Sequence, residues 1–69
     1  MNAAKLENSK RLQRVLRVLK RNSKPQSTRQ LIDKSGHLAI SSIASELRCN
    51  GINVKCKYAN GAYWYWIGE

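Results

Sequence analysis

The dipeptide Asn60-Gly61 constrains the fold of this chain more than any other feature. Asparagine and glycine best tolerate the two positive φ angles of a type I′ turn, which joins two antiparallel strands through a two-residue loop. Apolar and polar residues alternate over 52–67 on both sides of the dipeptide, as they do in half-buried strands. The sequence therefore predicts a β-hairpin with strands near 52–58 and 63–67.

The position of this turn also predicts the strand register, because residues paired across a hairpin share one side of it. The predicted pairs are Ala59 with Ala62, Tyr58 with Tyr63, Lys57 with Trp64, Cys56 with Tyr65, Lys55 with Trp66 and Val54 with Ile67. We expect one face to pack on the rest of the fold, namely Val54, Cys56, Tyr58, Tyr63, Tyr65 and Ile67. The other face carries Lys55, Lys57, Trp64 and Trp66.

A first helix is predicted near 4–22, ahead of the hairpin. Its apolar residues follow the i, i+3, i+4, i+7 spacing of one helical face, and they are Leu12, Val15, Leu16 and Leu19. Asn2 or Ser9 is the expected N-cap, and Pro25 favours an end before Asn22.

Two further helices are predicted between the first helix and the hairpin. The second, near 27–35, begins with the capping box Ser27-Thr28-Arg29-Gln30 and ends at Gly36, a residue that favours a left-handed helix end. The third, near 38–49, ends at Asn50-Gly51. Its apolar face is formed by Ile40, Ile43, Ala44 and Leu47.

This order of helix, short capped helix, glycine turn, helix and hairpin is that of a winged helix-turn-helix, an α+β fold. Residues 27–54 resemble the small winged helix-turn-helix proteins of phages and prophages, whose third helix ends in an Ile-x-x-x-Leu-Arg-x-x-Gly-Ile/Tyr pattern. The matching positions here are Ile43, Leu47, Arg48, Gly51 and Ile52. The resemblance implies three helices followed by a two-stranded antiparallel hairpin, called the wing, and it implies DNA binding.

The charge of the chain narrows the class of partner. Its 69 residues include 13 Lys and Arg against 4 Asp and Glu, which gives a net charge of +9, and ten of the basic residues lie within 1–34. A potential this positive attracts nucleic acid, an anionic membrane or an acidic protein.

A chain this short is expected to form a single domain, 1–69, with too little apolar surface to line a deep substrate pocket. We therefore expect a protein that is not an enzyme.

Residues for metal, redox or acid–base chemistry are not grouped in the sequence. Cys49 and Cys56 are too few for a disulfide framework and do not form a Cys-x-x-Cys pair, and His37 has no partner at metal-ligand spacing. We expect no catalytic residue, no metal and no cofactor. The first five residues lack the apolar stretch of a signal peptide, so a cytoplasmic location is expected, on the nucleoid if the protein binds DNA.

In a helix-turn-helix the second helix of the motif enters the major groove, and a wing touches the adjacent backbone. The expected nucleic-acid contacts are Arg29, His37, Ser41, Ser42, Ser45, Arg48, Lys55, Lys57, Asn60 and Trp64. The alternative interpretations are a solvated serine face and tryptophans that belong to the core. Double-stranded DNA is the first expected partner, for a transcriptional regulator or an architectural, excisionase-like factor. A monomer or weak dimer is expected, because no zipper segment is present.

The first helix also carries a row of cations opposite its apolar stripe. They are Lys10, Arg14, Arg17 and Arg21. This row can bind phosphate, or it can be a solubilising face. The alternative function is a protein-interaction module that binds and modulates a host protein through this row. Membrane binding is disfavoured, because the apolar stripe of the same helix is needed for the core.

Overall fold

The computed structural model describes residues 5–22 and 24–68 and has three α-helices and a three-stranded antiparallel sheet. In chain order the elements are a short 3-10 helix Leu6–Asn8, α1 Lys10–Arg21, β1 Gln26–Ser27, α2 Thr28–Ser35, α3 Ile40–Cys49, β2 Val54–Ala59 and β3 Ala62–Ile67. The strand order in the sheet is β1-β3-β2. This α+β arrangement is compatible with a winged-helix-like fold.

The sheet has three strands, where the sequence predicts two. The additional strand, β1, consists of two buried residues that pair antiparallel with β3, Gln26 with Tyr65 and Ser27 with Trp64. A two-residue strand is too short for alternation to be recognised. It exists because β3 offers a second edge to the chain that leads into α2.

Helix α1 begins later than predicted. The Ser9 hydroxyl accepts a hydrogen bond from the Leu12 N–H at 3.3 Å, which makes Ser9 the N-cap, and the preceding turn Leu6–Asn8 is a separate 3-10 helix. That turn is held on α3, because the Leu6 N–H donates to Oδ1 of Asn50 at 2.9 Å. The predicted start near residue 4 is therefore wrong within the described residues. The alternative cap, Asn2, lies outside them.

The predicted ends of α2 are confirmed. The Ser27 hydroxyl accepts from the Gln30 N–H at 3.2 Å, and the Ser27 N–H donates to Oε1 of Gln30 at 2.9 Å, so both halves of the capping box are present. Gly36 has a φ of 78° and its N–H donates to the Ile32 carbonyl at 2.8 Å. Both ends of a helix of eight residues are thus satisfied by local contacts.

Replacing Ser27 with alanine should lower the free energy of unfolding by about 1 kcal/mol, because the Gln30 N–H then loses its acceptor at the start of α2. Ser42→Ala is the matched control, since Ser42 is exposed on α3 and should change stability by less than about 0.5 kcal/mol. Urea denaturation followed by circular dichroism measures both values. Equal stabilities for the two variants would contradict a capping role for Ser27.

The predicted hairpin and its register are confirmed pair by pair, from Val54 with Ile67 to Ala59 with Ala62. Asn60 and Gly61 form the loop with φ angles of 52° and 76°. These two positive angles are those that a type I′ turn requires. Local turn chemistry therefore sets which residues share each face of the sheet.

A single apolar core lies between the helices and one face of the sheet. Its buried members are Leu12, Val15, Leu16, Leu19, Leu31, Ile40, Ile43, Ala44, Leu47, Val54 and Tyr65. The expectation that the whole Val54 face of the hairpin packs on the helices is wrong at three positions. Cys56, Tyr58 and Tyr63 are exposed. The two tyrosine rings pack edge to face near the hairpin tip, with their centroids 4.9 Å apart.

Candidate nucleic-acid interface

An open cleft of about 550 Å³ separates α3 from the hairpin. Its walls come from the start of α2, from the segment 38–48 and from the inner side of the hairpin. The lining residues are Thr28, Leu38, Ile40, Ser41, Ala44, Ser45, Arg48, Cys56, Tyr63 and Tyr65. Among the described residues this lining includes one permanent cation and no carboxylate, so the cleft suits an anionic group.

The outward side of α3 is made of small polar residues. Ile40, Ile43, Ala44 and Leu47 bury the opposite side of the helix, which leaves Ser41, Ser42 and Ser45 exposed. Ser41 and Ser45 line the cleft, whereas Ser42 is not among the residues that line it. Since serine adds little bulk, a large partner can approach the α3 backbone closely.

Arg48 connects α3 to the hairpin. Its Nε donates to the Val54 carbonyl at 2.8 Å, across the turn between α3 and β2. The guanidinium group has further N–H donors, and these have no protein partner among the described residues. Arg48 is therefore held in position at the cleft with donors available for an anion.

Thr28 and Tyr65 close the inner end of the cleft. The Thr28 hydroxyl donates to the Tyr63 carbonyl at 3.4 Å, which joins the start of α2 to β3. Burial raises the pKa of Tyr65 above 10.0, and the neighbouring Cys56 raises it further, while hydrogen bonding with Thr28 acts in the opposite direction. The phenol therefore stays neutral at physiological pH and offers a hydroxyl, not a negative charge, to the cleft.

His37 and Leu38 lie in the turn between α2 and α3. His37 is half-buried, and its Nε2 atom is buried without a hydrogen-bond partner, so this end of the imidazole faces inward. Leu38 is 80% exposed and lies at the cleft. The side chain that the turn presents to a partner is therefore that of Leu38, which the sequence did not single out.

The structure divides the predicted contacts between separate surfaces. Ser41, Ser45 and Arg48 meet at the cleft, but Lys55, Lys57 and Trp64 lie on the opposite face of the hairpin. Asn60 lies at the hairpin tip. Arg29 lies on the exposed side of α2, where its Nε is 3.6 Å from Oδ1 of Asp33.

The basic row of α1 forms a third surface. Its four predicted members are exposed, and Lys20 is exposed beside them. The five cations, named here the α1 basic face, are Lys10, Arg14, Arg17, Lys20 and Arg21. Within the described residues no carboxylate forms an ion pair with any of them.

Arg11 does not belong to the α1 basic face. Its Nη2 donates to Oε2 of Glu46 at 2.8 Å, which ties α1 to α3. No sequence spacing indicates this pair, because its partners are 35 residues apart. Glu46, one of the few acids of the chain, therefore stabilises the fold and does not neutralise the α1 basic face.

In residues 5–22 and 24–68, no group of three or more His, Cys, Asp or Glu side chains is placed to hold a metal ion. No helix of this described part is long and apolar enough to cross a membrane.

Comparison with protein-family models, with curated proteins and with solved structures finds no match for this chain.

Proposed function

We propose that this protein is a small DNA-binding protein of the winged helix-turn-helix type, with α3 in the major groove of duplex DNA and the hairpin as the wing. The observation that carries the proposal is the cleft, where Ser41, Ser45 and Arg48 of α3 meet Thr28 and the hairpin. The described residues that line the cleft include no carboxylate, and the chain has a net charge of +9.

The dimensions of a helix and of DNA support this placement. The major groove is about 12 Å wide and admits one α-helix with its side chains. The small serines on the outward side of α3 let its backbone approach the base edges. Serine hydroxyls pair with several bases, so α3 is expected to discriminate sequence weakly and to depend on groove shape and phosphate contacts.

The cleft then accommodates one sugar-phosphate strand beside the groove. Arg48 supplies guanidinium donors to a phosphate oxygen, and Thr28 lies at the start of α2, where helix N-termini favour anions. Asn60 at the tip would contact the neighbouring backbone. Weak base discrimination is consistent with a role in transcription or as an architectural, excisionase-like factor on phage-type DNA. The protein would then occupy the same compartment as that DNA.

Ser45→Glu tests the proposal. An added carboxylate in the cleft would repel phosphate and would compete with it for the free donors of Arg48, so duplex affinity should fall at least about tenfold. Asn8→Asp is the control, since it changes the net charge by the same amount at an exposed position in the 3-10 helix, where screening should limit the loss to about threefold. Fluorescence anisotropy of a labelled duplex measures both affinities, with circular dichroism as the folding control.

Equal losses for Ser45→Glu and Asn8→Asp would contradict a role for α3 in the groove. Such a result would mean that net charge alone attracts the duplex. Full duplex binding by Ser45→Glu would have the same consequence.

The second candidate is an interaction module that binds an acidic host protein through the α1 basic face. A groove of about 370 Å³ supports it, because Leu6 and Leu16 line this groove beside Arg17, Lys20 and Arg21. Apolar surface next to arginine is typical of protein interfaces, where arginine is enriched, more than of phosphate contacts. Loss of stoichiometric host-protein capture in an Arg14→Ala, Arg17→Ala variant that still binds duplex normally would favour this candidate.

A further inference from the structure

Apart from Asn60 at the hairpin tip, the outer face of the sheet has no role in the duplex proposal. It carries Lys55 and Lys57 on β2, paired with Trp66 and Trp64 on β3. Val54 and Tyr65 point to the opposite side, into the core. Four chemically distinctive side chains therefore share a surface that faces away from the helices and from the cleft.

The indole of Trp64 is held along the sheet. Its Nε1 donates to the Ala59 carbonyl at 2.9 Å, and Ala59 lies two residues beyond Lys57, the cross-strand partner of Trp64. This hydrogen bond joins the ring to the neighbouring strand and restricts its rotation. Trp66 is two residues further along the same face, about 7 Å away, and both indoles are half-buried.

A groove of about 590 Å³ runs over these indoles. The loop before β1 supplies one wall and the hairpin tip the other. The groove is lined by Lys24, Pro25, Lys57, Ala59, Asn60, Trp64 and Trp66. Among the described residues the groove contains two ammonium groups and no carboxylate, so its charge is complementary to a polyanion.

The ammonium groups on and beside this groove are unpaired. The side chains of Lys24, Lys55 and Lys57 are exposed, and among the described residues none of their ammonium groups has a hydrogen-bond, ion-pair or cation–π partner. The aliphatic stem of Lys55 passes so close to Gly68 that a β-carbon there would clash with it. The stem therefore lies against Gly68, at the end of the outer face away from the hairpin tip.

We propose that the outer face of the sheet binds single-stranded nucleic acid, with bases stacked on Trp64 and Trp66 and phosphates held by Lys24, Lys55 and Lys57. Stacking needs the faces of unpaired bases, which a duplex hides. An acidic peptide would use the lysines but would leave the two indole faces without a matching group. The spacing of the indoles suits two or three successive nucleotides.

This proposal does not depend on duplex binding by α3. No described residue lines both the cleft and the outer groove. A variant of one surface therefore leaves the other intact. Failure of either proposal is distinguishable from failure of the other.

The natural fluorescence of the protein tests the site directly, because Trp64 and Trp66 are the only two tryptophans of the chain. Titration with an oligothymidine of about twelve nucleotides should quench this fluorescence to saturation, since stacked bases contact the indoles. A duplex of equal length and heparin, a polyanion without bases, should quench it much less. Unchanged fluorescence at saturation, or equal quenching by heparin, would overturn the stacking proposal.

Substitutions then separate stacking from charge. Trp66→Leu should weaken oligothymidine binding by roughly 5- to 150-fold, and Trp66→Phe should weaken it less, because an aromatic face remains. Lys57→Glu should weaken it more than tenfold, whereas the same substitution at the remote Lys10 should have a small effect. Circular dichroism checks the fold, and Lys57→Glu keeps the proposal testable if Trp66→Leu does not fold. Equal losses for Lys57→Glu and Lys10→Glu would contradict the site.

Discussion

Raising the salt concentration from about 50 to about 200 mM should weaken duplex binding roughly 500-fold, if about five phosphates are neutralised on binding. Each neutralised phosphate releases condensed counterions, so the logarithm of the affinity should fall with the logarithm of salt with a slope near −4 to −5. The net charge of +9 and a cleft whose described lining residues include no carboxylate motivate this expectation. Anisotropy of a labelled duplex at four or more salt concentrations measures the slope.

A flat salt response would remove the main support for duplex binding. The Arg14→Ala, Arg17→Ala variant locates the phosphate contacts within the same experiment. It keeps the slope if the α1 basic face lies away from the duplex, and lowers its magnitude by about 1.8 if both arginines contact phosphate. A slope of smaller magnitude would therefore indicate that the duplex contacts the α1 basic face.

Leu31→Ala should destabilise the protein by about 2–5 kcal/mol, a large part of the total stability of about 3–10 kcal/mol expected for a chain of this length. Leu31 has no exposed surface, and it is the one fully buried apolar side chain that the described helix α2 contributes to the core. Its loss leaves a cavity between α2 and the neighbouring helices. Urea or thermal denaturation measures the change.

Leu38→Ala is the matched control, because the same atoms are removed from a side chain that is 80% exposed. Its stability should stay within about 0.5 kcal/mol of the unsubstituted protein. Equal stability of the two variants would contradict the packing of Leu31 in the core. It would also contradict the way in which α2 packs against α3.

Much of the backbone was predictable because it depends on neighbours in sequence. The capping box of Ser27, the left-handed end at Gly36 and the loop at Asn60-Gly61 each require residues only a few positions apart. The turn then set the hairpin register, since every further pair follows from the first. The apolar spacing of α1 and α3 likewise identified the core residues of both helices.

Contacts between distant segments were not predictable from these patterns. Strand β1 forms only through its pairing with β3. The Arg11–Glu46 ion pair joins α1 and α3, and no sequence pattern indicates a contact between residues so far apart in the chain. The cleft between α3 and the hairpin leaves Cys56 and Tyr63 exposed, and Tyr58 is exposed beside Tyr63, although all three share a face with the buried Tyr65.

The same distinction holds for the candidate sites. Residue types and net charge pointed to nucleic acid, and strand alternation separated Lys55, Lys57, Trp64 and Trp66 from the other hairpin face. Only the packing of α3 against the hairpin formed a cleft at Ser41, Ser45 and Arg48, and only the loop before β1 placed Lys24 beside the indoles. Local patterns determine which side of its own element a residue occupies, whereas the grouping of residues from different elements depends on how those elements pack.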